Sequence, residues 1–326
     1  MEKLLFSTDT DSGTITVLNL STGHPEPVAR INVGNGPRGA VRFTANGRGF
    51  VSNHAGNTIS EIDAYSLAEM GRITVGSAPI GIAIVPGDRF ALVSNGGDNT
   101  ISIVDLLENR EVHKVSVGRE PRHLDVTRDG KFAYAPMSAA HYVSKIDVTA
   151  LGKAGPAYAD VREVCRIFLG EGTFPYSTAI SPDGHWVIAA NNQKPFVSLI
   201  ESSTDQVADE IDVGTKGARG VAFSPDSKHA FVSLENTSEV VVVELESRKV
   251  IQRLAAANGP RGMYYDADLT TLFVAGFYRG AGERAGNAVS ILHFSPAMLK
   301  NMSSASPELR DVPVGAGPCS ISVYVR

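Results

Sequence analysis

Short runs in which apolar and small polar residues alternate recur along the whole chain, each bounded by turn residues. Phe90-Ala91-Leu92-Val93-Ser94 is one; the polar stretch Asn95-Gly96-Gly97-Asp98-Asn99 follows, and then a second run, Thr100-Ile101-Ser102-Ile103-Val104-Asp105. Alternation over five or six residues is the period of a strand with one buried face. No window holds the 3.6-residue period of an amphipathic helix, and only 295–303 suggests a short one. Read this way, 81–85, 90–94, 100–105 and 111–117 form one unit of four strands, here called A to D.

That unit repeats. A Val-Gly, two spacers, Pro, a variable residue and a small residue occur as Val33-Gly34-Asn35-Gly36-Pro37-Arg38-Gly39, Val75-Gly76-Ser77-Ala78-Pro79-Ile80-Gly81 and Val117-Gly118-Arg119-Glu120-Pro121-Arg122-His123, with looser copies to the C-terminus. The variable residue falls at 38, 80, 122, 176, 219, 261 and 319. Most steps are 42 or 43 residues, the length of four strands and four turns, and the two longer ones are insertions. The N-terminus supplies B-, C- and D-like runs at 4–7, 14–18 and 28–33 with no A run before them, and 320–325 is a lone A run. The expected architecture is an all-β, seven-bladed β-propeller with four antiparallel strands per blade. It is expected to be a single domain over 1–326, its closing blade built from 1–33 plus 319–326 and leaving no open sheet edge.

Composition narrows the function classes. At 326 residues a typical domain length suggests about two domains, which the repeat replaces with one ring. A formal net charge of -5 argues against nucleic acid or an anionic membrane as partner. No stretch reaches about 20 apolar residues, and the start lacks the apolar core of a signal peptide, so a cytoplasmic location is expected. Cys165 and Cys319 are the only cysteines, without CxxC, CxxCH or zinc spacing. No glycine-rich nucleotide loop appears either. No metal and no cofactor are expected.

The strand-B endings Phe50-Val51-Ser52-Asn53 and Ala91-Leu92-Val93-Ser94-Asn95, with the Val-Gly-x-x-Pro phrase and the turns Ser181-Pro182-Asp183-Gly184 and Ser224-Pro225-Asp226-Ser227, resemble the YVTN-repeat β-propellers over the whole chain. The resemblance implies that D-to-A and B-to-C loops share one end of a central channel. The variable position would then ring that mouth with Arg38, Ile80, Arg122, Tyr176, Arg219, Arg261 and Cys319. Four arginines at one repeat position suit a carboxylate or phosphate, since each guanidinium fork can bind two oxygens. The alternative is that each bonds carbonyls or an acid of the neighbouring blade. The B-to-C loops add Asn53, His54, Asn95, His141, Asn191, Asn192 and Glu235. They also add the long loop 277–287, in which Phe277 and Tyr278 suit a flap over the mouth, the alternative being a surface insertion. His54, His141 and Glu235 are the candidates for moving protons, and His123 stands beside Arg122. Cys319 is either a thiol acidified by arginines or a small buried residue.

These residues point to an enzyme of the hydrolase, lyase or isomerase type, acting on a small anionic metabolite. A second reading is a non-catalytic propeller that binds a ligand or docks a protein partner. A third follows from likeness: Glu120-Pro121-Arg122-His123-Leu124 and Val232-Ser233-Leu234-Glu235-Asn236 are similar to phrases of the propeller-type 6-phosphogluconolactonases. Here the two phrases fall in different blades, and Ala135-Pro136-Met137 stands where that family carries Asn-Glu.

Overall fold

A computed structural model describes residues 1–153, 157–277 and 287–326. Seven four-stranded antiparallel sheets form the ring. Blades 1 to 6 take their strands in order from 37–74, 79–116, 125–168, 175–212, 218–255 and 260–313. The closing blade joins Pro318–Val325 to Lys3–Asp9, Thr14–Asn19 and Glu26–Asn32. The N-terminal segment thus acts as a clasp, and the long register from Lys3↔Val325 to Asp9↔Pro318 ties the two ends of the chain together.

Burial follows from stacking sheets around an axis. Strands B and C are covered on both faces by the neighbouring blades, as in Phe90–Asn95, where every residue is buried. Strand D, at the rim, is mostly exposed or half-buried, as in Gln206–Asp212, where Ile211 is the one buried residue. The A strands pack against one another around the channel. The Ser-Pro-Asp turns link A to B because Ser181 Oγ donates to Asp183, Trp186 N donates back to Ser181 Oγ, and Gly184 takes a φ of 76°.

Two insertions sit between strands C and D, at the end of the ring away from the arginines. The first carries short 3-10 turns at Thr149–Gly152 and Tyr158–Asp160. The second carries the helix Pro296–Lys300, capped by Ser295, so the helix expected over 295–303 is present but shorter. No helix among the described residues is long and apolar enough to cross a membrane.

Blade 3 departs from the pattern. Its inner strand is reduced to Asp125–Val126, and the residues before it lean across to blade 4: His123 N donates to Tyr176 O at 3.3 Å and Thr178 N to His123 O at 3.0 Å. In three other blades a serine holds the neighbouring inner strand. Ser52 Oγ donates to Ile80 O, Ser94 Oγ to Arg122 O and Ser233 Oγ to Arg261 O, each a B-strand hydroxyl gripping the next blade's variable position. In blade 3 the sequence Ala135-Pro136-Met137 offers no hydroxyl there, and the backbone of His123 takes the Tyr176 carbonyl instead.

Candidate functional site: a cationic funnel at the channel mouth

The small residue after each variable position is explained by how closely the inner strands approach. A Cβ on Gly39 would lie 2.8 Å from the Ile80 carbonyl oxygen, and one on Gly220 would strike the Arg261 carbonyl. Glycine lets the strands converge, and convergence carries the preceding side chains to one place.

The result is a funnel of about 710 Å³ whose lining includes Arg38, Arg122, Arg219, Arg261, Lys194 and Lys216 against a single carboxylate among the described residues, Glu120. It narrows to a throat of about 110 Å³ lined by Tyr176, Arg219 and Arg261 from above and by His123, Cys319 and Arg42 below. Four of the variable-position arginines therefore meet, with Tyr176 among them. Ile80 is buried and Cys319 lies in the wall of the throat.

The four arginines are not equivalent. Glu235 accepts from Nε of Arg219 with one oxygen and from Nε of Arg261, at 2.8 Å, with the other. Arg219 also lies 4.0 Å from the Tyr176 ring centroid, and Arg261 lies 3.5 Å from that of Phe277. Arg122 sits on Tyr176 at 4.8 Å and pairs through one terminal nitrogen with Glu120, but its buried Nε has no partner. Arg38 makes no ion pair or hydrogen bond through its guanidinium among the described residues. One side of the ring is internally compensated, and the other has only the contact of Glu120 with one nitrogen of Arg122.

Of the histidines, only His123 reaches the channel. Burial, with the charges of Arg122, Arg38, Arg42 and Arg219 in support, pushes its imidazole down to about 3, so the ring is neutral at any physiological pH. His54 is also held below the ordinary range, by burial first and Arg38 next. Both His54 and His141 stand behind the rim with Nδ1 sealed from solvent and unpartnered; His141 packs edge-on against Phe174, itself a funnel residue.

Asn53, Asn95 and Asn191 do not reach the funnel. They are fully buried, and their amides donate inside their own blades, to Thr58 and Ser60, to Thr100 and Ser102, and to Ser198. Strand alternation is the reason: Ser52 points to the inner strands, so Asn53, one residue on, points the opposite way. Phe277 lines the funnel, whereas Tyr278 and the flap positions 278–286 lie outside the described residues. Lys194, Lys216, Gln193 and Phe174 went unpredicted; a tally of charge by loop end would have found the two lysines.

Similarity to known proteins agrees with this architecture. The chain resembles a chain of Kuenenia stuttgartiensis hydrazine synthase (22% identity, TM-score 0.73, covering 88% of this chain and 90% of that one). It also resembles the Pseudomonas aeruginosa periplasmic gluconolactonase PpgL (15%, 0.79, 99% of each chain). A Lactobacillus plantarum protein matches at 14% identity and a TM-score of 0.81 over 100% of both chains. At these identities the likeness is one of fold. A comparison with curated proteins returned no match. The description "YNCE-like beta-propeller" matches residues 77–287, about two-thirds of the chain, and with its seven-bladed ring and repeat this protein belongs to the YNCE-like β-propeller family.

Proposed function

We propose that the funnel binds a small molecule carrying a carboxylate or phosphate, and that Arg38 and Arg122 are its principal contacts. One observation carries this reading: a cavity lined by six cationic side chains and, among the described residues, one carboxylate, in which the Arg38 guanidinium has no partner among those residues and the Arg122 Nε is buried without one. Converging guanidinium groups repel one another, and an anion that accepts from both removes that cost while gaining charge-assisted hydrogen bonds. Glu235 serves to hold Arg219 and Arg261 in place, since both of its oxygens are engaged by guanidinium groups. His123 is too weakly basic to act as a general base at neutral pH and instead offers a neutral ring at the floor of the site.

Calorimetric titration with inorganic phosphate and with citrate tests this. The expectation is measurable binding that Arg38→Ala weakens by about tenfold, as loss of one charge-assisted contact predicts, with the fold retained. Binding unchanged in folded Arg38→Ala would overturn the assignment.

A second reading, hydrolysis of an anionic sugar lactone, is favoured by the position of Arg122 and Tyr176 at the funnel wall with neutral His123 beneath them, and by the gluconolactonase name of PpgL. Assay of gluconolactone and its 6-phospho derivative decides it: absence of hydrolysis above the spontaneous rate leaves the binding reading alone.

A further inference from the structure

The channel does not end at the throat. Arg42 and Tyr264 line both the throat and a separate vestibule of about 420 Å³ at the opposite mouth, where Asp125, Thr44 and Ser322 also contribute. Arg42 lies four residues beyond Arg38 on the same inner strand, on the order of 10 Å farther along the axis.

We propose that this lower vestibule is a second small-molecule site, taking a zwitterion of the α-amino acid class. Arg42 is tethered through Nε to the Ile82 carbonyl at 3.1 Å, which leaves its two terminal nitrogens without a partner among the described residues. Asp125 is tethered as firmly, one oxygen accepting from Val126 N at 3.0 Å and the other from Ile180 N at 3.1 Å. Each carboxylate oxygen keeps further acceptor capacity. The two groups face one cavity, close enough for the charge of Arg42 to act on the carboxyl, yet no ion pair joins them. Burial opposes this and raises the Asp125 carboxyl above its ordinary range, as expected for an acid held short of its counter-charge.

A fixed cation and a fixed carboxylate held apart across a cavity complement a ligand of the reverse polarity. The ligand carboxylate lies on the Arg42 fork and its ammonium on Asp125, while Ile84 and Val323 offer an apolar wall to a side chain. A simple anion meets repulsion from Asp125 and a simple cation meets it from Arg42, so the pair selects against both. Two further polar groups lie at the wall: the Ser322 hydroxyl, buried and unpartnered, and the Tyr264 hydroxyl, which has no hydrogen-bond partner among the described residues. The opposite mouth shows no such balance, being cationic almost throughout.

Calorimetric titration of the full chain with glycine, L-alanine, L-serine, L-glutamate and L-lysine, with acetate and methylammonium as single-charge arms, tests the site. At least one amino acid should bind at least about tenfold more tightly than either single-charge arm, and Arg42→Gln and Asp125→Asn should each weaken that binding by about tenfold or more. Arg38→Ala should leave it unchanged, because Arg38 lies at the other mouth. The proposal is overturned if no amino acid binds, if acetate binds Arg38→Ala as tightly as the amino acids do, if folded Arg42→Gln binds like the parent, or if Arg38→Ala abolishes binding of the amino acids. Should Asp125→Asn fail to fold through loss of its contact with Ile180, the Arg42→Gln and acetate results decide alone.

Discussion

Arg219 and Arg261 on one side of the ring, and Arg38 and Arg122 on the other, hold the same repeat position yet have different fates. On the first side Glu235, at the end of blade 5, reaches both guanidinium groups, and all three side chains are more than four-fifths buried. On the second, Arg122 has the partly exposed Glu120 for one nitrogen, and Arg38 has nothing comparable among the described residues. The difference teaches that a repeated residue is not a repeated function: compensation within the protein makes a guanidinium part of the scaffold, and lack of it leaves donors open to the anion proposed above. Arg219 and Arg261 thus take the repeat-consensus role that the sequence allows, and the ligand role is the one proposed for Arg38 and Arg122 in the other half of the ring.

Removing the compensation is the strongest way to break the contrast. Glu235→Ala leaves two buried cations facing each other, and breaking a buried ion pair in this way costs about 3 kcal/mol or more, read as a lowered urea midpoint. A midpoint unchanged from the parent would place Arg219 and Arg261 in the same class as Arg38.

The closing blade sharpens the comparison by showing a carboxylate with no arginine against it among the described residues. Asp9 occupies the strand-end position of Asn53 and Asn95 and accepts from Ser7, Thr14, Thr16 and the Gly315 amide, and no cation among the described residues pairs with it. Burial outweighs these donors and pushes its carboxyl up to about 6. The folded state therefore binds more protons than the unfolded chain between the ordinary value of 3.8 and about 6, and this group makes stability fall as pH rises through that window. Asp9→Asn should remove that slope and, above pH 6, raise stability by up to about 3 kcal/mol, the free energy of a shift of this size. Urea titrations of both proteins at pH 5 and 8 check it. A gap between the proteins that does not widen toward pH 8 would contradict the assignment.

The smallest effect concerns how the arginine backbone is held. Ser94→Ala removes the hydroxyl that donates to Arg122 O at 2.6 Å, and about 1 kcal/mol of stability should go with it. Phosphate affinity should drop as Arg122 loosens, whereas an affinity identical to the parent would show that Tyr176 and Glu120 suffice to place it.

Much of this protein is legible in one dimension. The recurring Val-Gly-x-x-Pro phrase gives the blade count, and the missing A run at one end with a spare one at the other gives the clasp. Strand C of blade 2 spans Thr100–Asp105, as the alternation predicts, while strand A begins two residues earlier than expected, at Pro79. Site residues were less legible. Asn53, Asn95 and Asn191 pass for mouth residues because a strand end is one step from a loop, and that single step reverses the side chain. Arg42 and Asp125 recur at no fixed position of the repeat, so nothing in the spacing singles them out.

The sequence by itself determined the ring, its closure and the position that brings arginines to the axis, because periodicity and turn chemistry are local properties that survive in a linear string. Tertiary structure alone decided that Glu235 from one blade neutralises arginines from two, that Arg38 is left over, and that Arg42 and Asp125 face each other unpaired. Those outcomes depend on distances across the channel between residues far apart in the chain, and charge compensation is governed by such distances rather than by order along the backbone.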